Sequence, residues 1–306
     1  MIRWLQHNEI DKKKWDACID HSVNDLIYAN SWYLDIVCPG WNAMVEDDYI
    51  SVMPLTAGKK YGTHYLYPPY FAQQLDLFSK EKISNQKADE FLKAIPDHYK
   101  FIEIHLNTQN TFEFPGYQVK KNINIELPLD AAHETLHKRF SEDIKRNIKK
   151  ANKNGVALKK NISPSAIISI FRKNTGKNIT NLTEKNYKTL LHLISTCIDK
   201  GYAEAWGALA NDKLCAGVIW VIKNKRALFL FSATDPTAKR TGAMPFLINE
   251  FIKKHSRKDM ILDFEGSNLP GLARFYKGFG SKETVYLQVR KNNLPGIIKW
   301  IKELKS

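Results

Sequence analysis

The chain has 306 residues, of which 43% are hydrophobic and 25% charged, and this composition excludes an intrinsically disordered protein. No apolar run approaches the ~20 residues that a membrane-spanning helix needs, and the first ten residues lack the apolar stretch of a signal peptide. Lysine and arginine total 46 against 32 acidic residues, and the net charge of +14 favours a polyanionic partner such as RNA, a nucleotide cofactor or a phosphorylated substrate. A basic surface that is merely solvated is the alternative.

The first half of the chain alternates between helical and extended patterns. Helices are predicted over residues 12–22, 30–39 and 84–95, and strands over residues 41–47, 49–55, 100–107 and 122–129. The two strands at 41–47 and 49–55 meet at Asp47 and Asp48, which favours a hairpin. A long loop over residues 67–79 carries two prolines and two glutamines among aromatic residues.

This loop is a candidate substrate-binding element. Gln73 and Gln74 could bind amides or sugar hydroxyls, and Tyr70 and Trp32 could stack on a ring. A loop that simply packs against its surroundings is an equally good interpretation.

A strongly basic segment follows, from residue 138 to residue 160. It contains nine basic and two acidic residues, so its net charge is +7. Apolar residues recur at every fourth position, which predicts one amphipathic helix over residues 133–153 with an apolar inner face and a cationic outer face. The apolar stripe consists of Leu136, Phe140, Ile144 and Ile148. Arg146 belongs to the cationic face and is a candidate for binding an anionic substrate, although a solvated face is the alternative.

The second half has an ordered succession of elements. Two helices start after the predicted N-caps Ser163 and Thr183. Three strands joined by short polar turns occupy residues 203–210, 214–222 and 226–233, and a loop covers residues 234–242. The remaining predictions are a helix at 243–255, a strand at 260–266, a helix at 269–277, a strand at 283–290 and a terminal helix at 294–306.

This order of elements resembles the GNAT N-acyltransferase fold. The stretch DFEGS…GLARFYKGFG, together with IKRNIKKANKNGV at the entry to the second half, resembles the Fem-type aminoacyltransferases of peptidoglycan bridge synthesis. The basic segment matches that family's pattern at Arg146, Asn147, Ile148, Lys150, Ala151, Lys153 and Gly155. The resemblance implies a mixed α/β fold of two tandem GNAT-like domains, with an acceptor-side half at 1–128 and a donor-side half at 129–306.

The resemblance also implies roles for individual residues. Lys277 would lie near the reacting acyl group, where it could stabilise an oxyanion or bind a donor phosphate. Tyr276 would protonate a leaving thiolate, although packing of the helix on the sheet is the alternative. In GNAT enzymes the pyrophosphate of acyl-CoA binds at a helix start, and the corresponding stretch here consists of Arg240, Thr241, Gly242 and Ala243.

Amine acylation needs a base that takes a proton from the attacking ammonium. Glu265 is the candidate, and strand alternation predicts that Asp263 lies on the same face. Ser267 and Arg274 are candidate substrate-binding neighbours. An ordinary strand edge is the alternative.

We therefore predict a cytoplasmic N-acyltransferase without stable membrane insertion, which transfers an acyl or aminoacyl group to an amine of a small molecule or cell-envelope precursor. Acyl-CoA is ranked slightly ahead of aminoacyl-tRNA as donor. The scattered cysteines and the histidine spacing lead us to expect no metal. The alternative function is a non-catalytic RNA- or nucleotide-binding module on a degenerate GNAT fold.

Overall fold

The computed structural model describes residues 1–60, 62–109, 114–266 and 268–296. The chain forms two compact units: Met1–Asn122 with Val285–Ser306, and Ile123–Thr284. The limits expected from sequence, 1–128 and 129–306, assign residues 285–296 to the second half, whereas these residues group with the first unit. The division into two sequence domains at residue 128 stays a prediction.

The first unit contains a four-stranded sheet, four strands of a second sheet and three α-helices within the described ranges. Its elements are β1 (Ile2–Leu5), α1 (Lys12–Asp20), α2 (Ser31–Val37), β2 (Asn42–Glu46), β3 (Ser51–Leu55), β4 (Ala57–Lys60), β5 (Thr63–Leu66), β6 (Phe78–Ser79), α3 (Asn85–Lys93) and β7 (Tyr99–His105). One sheet has the order β1-β2-β3-β6. In the other, β4, β5 and β7 are joined by β14 (Lys282–Asn292), which pairs antiparallel with β7 from Gln288 onward.

The second unit is a mixed sheet with helices on both faces. Its elements are β8 (Gln118–Pro128, which begins in the first unit), α4 (His133–Lys138), α5 (Glu142–Lys153), β9 (Ala157–Lys160), α6 (Pro164–Lys173), α7 (Glu184–Asp199), β10 (Ala203–Ala210), β11 (Lys213–Lys223), β12 (Arg226–Thr234), α8 (Pro236–Thr241), α9 (Ala243–His255), β13 (Ile261–Asp263) and α10 (Pro270–Lys277). The strand order is β8-β13-β12-β11-β10-β9, and the β12–β13 pair is parallel while the other pairs are antiparallel.

Strand alternation in β11 explains the two helical layers. Val218 and Trp220 are fully buried in one core cluster with residues of α5 and α9, and the Trp220 ring stacks on Phe251 at 3.9 Å. Gly217, the residue before Val218, faces the opposite side, where a Cβ would lie 2.6 Å from Ile167 of α6. The side chains of α5 and α9 therefore cover one face of the sheet, and those of α6 cover the other.

Most predicted elements of the second unit are confirmed. Thr183 caps α7 through a hydrogen bond from the Asn186 amide to its hydroxyl at 3.4 Å, and β10, β11 and β12 form the expected antiparallel meander. Leu136, Phe140, Ile144 and Ile148 are all buried, as the apolar stripe predicts. The mixed α/β fold class is likewise confirmed.

Three local predictions are wrong. The single helix expected over 133–153 is two helices, because α4 ends at Lys138 and Ser141 caps the start of α5 with its hydroxyl. The loop expected over 234–242 contains α8, which starts at Pro236 after the N-cap Asp235. The strand expected to reach residue 266 ends at Asp263. Most of the terminal helix predicted at 294–306 lies outside the described residues.

None of the helices in the described ranges is both long enough and apolar enough to cross a bilayer.

Candidate active site

The sheet of the second unit opens between β12 and β13. The two strands pair over three residues only, from Arg226 opposite Ile261 to Leu228 opposite Asp263. On its other edge β12 remains paired with β11 as far as Thr234. Within the described residues, the stretch from Phe229 to Thr234 therefore presents its backbone N–H and C=O groups to an opening in the sheet. Such an unpaired edge can hydrogen-bond an extended ligand.

A buried ion-pair network closes the base of this opening. Arg226 Nη1 lies 2.7 Å from Glu126 Oε1 of β8 and 2.6 Å from Asp263 Oδ2 of β13. Although burial alone lowers the pKa of Arg226, the two carboxylates raise it above its usual value, so the guanidinium remains charged. The network ties three strands together where β12 and β13 begin to separate.

Asp263 belongs to this network and is only 2% exposed. Its second oxygen, Oδ1, accepts a hydrogen bond from the Glu265 amide at 2.7 Å. Because β13 ends at Asp263, the strand alternation that predicted a common face with Glu265 does not extend that far. Both oxygens of Asp263 are engaged and buried, which does not fit the predicted contact with substrate.

Glu265 lies in a tight turn directly above the network. Glu265 and Gly266 both have left-handed backbone conformations, with φ of +55° and +57°. A Cβ at Gly266 would lie 2.1 Å from the carbonyl oxygen of Ile123, so only glycine fits against β8. Asn268 holds the other end of the turn, since its Oδ1 accepts a hydrogen bond from the Ile123 amide at 3.3 Å. A glutamate in a left-handed conformation costs on the order of 1 kcal/mol, and such strain concentrates at functional sites.

Tyr276 is part of an aromatic cluster beside this turn. Its ring stacks on Phe264 at 4.7 Å and meets Phe229 edge-on at 5.7 Å. Burial, and to a lesser degree the charge of Glu265, raise the pKa of Tyr276 above its usual value. The phenol therefore stays protonated and can act as a hydrogen-bond or proton donor. The structure places Glu265 and Tyr276 within electrostatic reach of each other.

Lys277 is placed differently from Tyr276. Its Nζ forms an ion pair with Glu283 Oε1 at 2.9 Å, and both side chains are nearly half exposed. Its neighbour on α10, Tyr276, points into the core instead. Arg274 is exposed on the same helix, and Ser267 lies outside the described residues.

Helix α5 packs against two of the predicted site segments, one at Gly278 and the other at Gly242. The Ser141 amide, at its N-cap, donates a hydrogen bond to the Gly278 carbonyl at 2.8 Å. A Cβ at Gly278 would lie 2.8 Å from Ile144, which explains why a glycine follows the FYK sequence. In its middle, the carbonyl of Asn147 abuts Gly242. The two segments that carry the sequence resemblance are thus in direct contact with each other.

The junction of α8 and α9 offers fewer free backbone amides than a pyrophosphate-binding loop needs. The start of a helix normally offers free amides to an anion. Here the Gly242 amide bonds to the Ala238 carbonyl at 3.0 Å, Ala243 is completely buried, and the third helical residue, Pro245, has no N–H. Thr241 bonds its hydroxyl to the Thr237 carbonyl at 2.9 Å. Of the four residues predicted to bind the pyrophosphate, only Arg240 is exposed.

Substituting Gly242 with alanine is expected to lower the free energy of unfolding by roughly 2 kcal/mol or more. The residue has a φ of +80°, and the added Cβ would lie 2.3 Å from the Asn147 carbonyl oxygen. Gly271 on α10 is the matched control, because nothing lies within 4 Å of its Cβ position. Urea unfolding should show Gly271→Ala to be neutral or stabilising. Equal stabilities of the two variants would mean that α5 does not pack on Gly242.

The glutamine loop of the first unit is largely closed. Gln74 is 3% exposed; its Oε1 accepts a hydrogen bond from the Thr108 amide at 3.2 Å, and its Nε2 donates to Gln73 Oε1 at 2.8 Å. Trp32 is half-buried and packs edge-on against Tyr33. Tyr70 is 49% exposed. Of the four residues predicted here, Tyr70 is the most accessible to a ligand.

The outer face of α5 is cationic, as predicted. Arg146 is exposed and pairs with Asp143 at 2.7 Å, and Lys145 pairs with Glu142 at 2.9 Å. Such exposed pairs contribute little to stability. Lys149, Lys150 and Lys153 are exposed as well.

Residues 133–137 read HETLH, the spacing of the zinc-binding HExxH motif, which the expectation of no metal overlooked. His133 Nε2 lies 2.9 Å from Asn249 Oδ1, and the rings of His133 and His137 are 5.7 Å apart. Across the described ranges, no group of three His, Cys, Asp or Glu side chains is arranged to hold a metal ion. The motif therefore provides no complete ligand set in these ranges.

Both the sequence and the fold are similar to those of known proteins. The family described as the acetyltransferase (GNAT) domain matches residues 138–274. No curated protein matches the sequence. Among solved structures, FemX superimposes with a TM-score of 0.65 at 12% identity and covers 91% of this chain and 96% of its own.

Two further structures share the fold. The C-terminal domain of a protein described as a lysylphosphatidylglycerol synthetase of Agrobacterium fabrum has a TM-score of 0.60 at 12% identity, covering 96% of this chain and 95% of that one. A tandem GNAT protein from the clavulanic acid biosynthesis pathway has a TM-score of 0.51 at 10% identity, covering 97% and 100%. These similarities confirm two GNAT-like domains.

Proposed function

We propose that this chain is an N-acyltransferase that moves an acyl or aminoacyl group to an amine, because residues 138–274 match the acetyltransferase (GNAT) domain family and the fold resembles FemX and a tandem GNAT protein. The observation that carries this proposal is the opening between β12 and β13 beside Glu265 and Tyr276. The fold alone would not be sufficient, since one fold hosts many activities.

The geometry supports a direct transfer without a covalent enzyme intermediate. Glu265 accepts a proton from the acceptor's ammonium group, and the free amine attacks the donor's carbonyl carbon. A backbone N–H of the unpaired β12 edge hydrogen-bonds the developing oxyanion. The amide bond forms as the ester or thioester bond breaks. The Tyr276 hydroxyl donates a proton to the leaving oxygen or sulfur and regains one from the attacking nitrogen, which loses its second proton as the amide forms. Lys277 remains a proposed second stabiliser of negative charge on the donor.

The α8–α9 junction favours an aminoacyl ester of RNA over acyl-CoA as the donor, which reverses the ranking from sequence. A CoA pyrophosphate would find a buried alanine and a proline where it needs free amides. The cationic face of α5 instead offers several exposed basic side chains to a nucleic-acid backbone. Structural similarity to the described lysylphosphatidylglycerol synthetase domain supports an aminoacyl cargo and a cell-envelope precursor as acceptor.

The test is transfer from a labelled aminoacyl-tRNA mixture and from an acyl-CoA panel to a set of amine acceptors. Amine-dependent deacylation of tRNA supports the proposed donor, and release of free CoA would restore acyl-CoA to first place. RNA binding without turnover from either donor would instead support the non-catalytic alternative.

Reversing two charges on α5, with Arg146→Glu and Lys149→Glu, should raise the KM for aminoacyl-tRNA about tenfold or more at low salt. The effect should shrink as added salt screens the remaining contacts. Lys82→Glu with Lys120→Glu is the matched control, because it changes the net charge equally at exposed positions of the first unit. If the two double variants raise KM by the same factor, the cationic face of α5 is not the donor site.

A further inference from the structure

A groove of about 580 Å³ lies between α6 and α7, on the face of the sheet opposite α5 and α9. Its floor is apolar and includes Ile168, Tyr187 and Leu191, while serine hydroxyls of α6 lie along one side. Leu191 is 38% exposed, so its side chain is accessible from the groove. None of these residues belongs to the site described above.

The rim of the groove is strongly cationic. Arg172 and Lys173 come from the last turn of α6, Lys177 from the connection to α7, and Lys188 from α7. Glu184 is the one carboxylate among the lining residues, so four cations face one anion. In the described part of the chain, no acidic partner pairs with the three lysines. Gathering like charges in this way is unfavourable unless an anion compensates them.

Arg172 is held in place by its neighbours. Its guanidinium forms an ion pair with Glu184 and lies over the Tyr187 ring, 4.7 Å from the centroid. Stacking and pairing fix the plane of the guanidinium, which leaves its other N–H groups oriented for an oxyanion. The arrangement combines a pre-oriented arginine with mobile lysine side chains around an apolar floor.

We propose that this groove binds an organic phosphate. The phosphate would lie among Arg172, Lys173, Lys177 and Lys188, because a doubly charged group with three acceptor oxygens matches several converging cations. An apolar or aromatic body would cover Tyr187, Ile168 and Leu191. The site is independent of the proposed acyl transfer.

The test measures binding to the full-length chain by isothermal titration calorimetry, with three probes. The probes are 1-naphthyl phosphate, inorganic phosphate and 1-naphthol. We expect saturable one-to-one binding of 1-naphthyl phosphate, phosphate binding at least tenfold weaker, and no saturable binding of the naphthol. Equal affinities for 1-naphthyl phosphate and phosphate would overturn the apolar part of the site, and absence of saturable binding would overturn the whole proposal.

Variants separate the groove from a general charge effect. Lys177→Gln with Lys188→Gln should weaken 1-naphthyl phosphate binding at least tenfold. Lys185→Gln with Lys213→Gln removes the same charge at exposed positions outside the groove and should change affinity less than twofold. Leu191→Asn should weaken 1-naphthyl phosphate but leave phosphate binding unchanged. Equal losses in the two lysine double variants would contradict the site.

Discussion

Replacing Glu265 with glutamine is expected to lower kcat by roughly 10²- to 10³-fold and to leave the free energy of unfolding unchanged. Glutamine has nearly the same size and can occupy the same turn, in which residue 265 has a φ of +55°. It cannot take a proton from the acceptor's ammonium group. Steady-state kinetics with the donor that the transfer assay identifies, together with urea unfolding, measure both quantities.

Three companion variants sharpen this result. Glu134→Gln, at an exposed position of α4, is the matched control and should retain full activity. Tyr276→Phe keeps the stack on Phe264 but removes the hydroxyl, so a loss of kcat without a loss of stability would identify it as a proton donor. Lys277→Ala should lower kcat if the lysine leaves Glu283 to reach the donor. A Glu265→Gln variant with kcat within twofold of the wild type would remove Glu265 from the mechanism.

Replacing Arg226 with methionine should lower the free energy of unfolding by about 3–5 kcal/mol. The substitution leaves Asp263, which is 2% exposed, as a buried carboxylate without its cation. Lys225→Ala is an unusually close control, because the neighbouring Lys225–Asp259 pair is more than three-quarters exposed and should contribute about 0–1 kcal/mol. Chemical denaturation of both variants gives the comparison.

The loss in the free energy of unfolding that Arg226→Met causes should become smaller as the pH is lowered. Burial already raises the pKa of Asp263, and loss of Arg226 raises it further. A group whose folded pKa lies above its unfolded value destabilises the fold once it is ionised, and this loss disappears when the carboxyl is protonated. Arg226→Met with Asp263→Asn should therefore recover part of the stability at neutral pH. A loss in the free energy of unfolding that is small or independent of pH would mean that the network is not buried in solution.

The sequence predicted those features that depend on local periodicity and capping. The apolar stripe from Leu136 to Ile148 repeats every fourth residue, and Thr183 precedes a regular amphipathic run, so both were predictable. The break at Ser141 was missed because the stripe continues in phase across it, and only a hydrogen bond from the Ile144 amide to the serine hydroxyl reveals the new cap. Helix α8 was missed because its six residues are too few to show a period.

The candidate site was predictable only in part. Glu265 and Tyr276 stand in one short stretch of sequence, and the family resemblance singled them out. Arg226 gave no signal, because its partner Glu126 lies 100 residues earlier in the chain. The closure of the Gln74 loop depends on Thr108, 34 residues away, and is equally invisible to a local pattern.

The long sequence separations between Arg226 and its two carboxylate partners also affect folding during synthesis. Glu126 precedes Arg226 by 100 residues and Asp263 follows it by 37, so no short fragment contains the network. A ribosome must release at least the first 263 residues before the base of the opening can assemble, and pairing over such distances slows folding. Until then the three residues of β12 that pair with β13, Arg226 to Leu228, lack their partner strand, and an unpaired strand edge favours aggregation and chaperone binding.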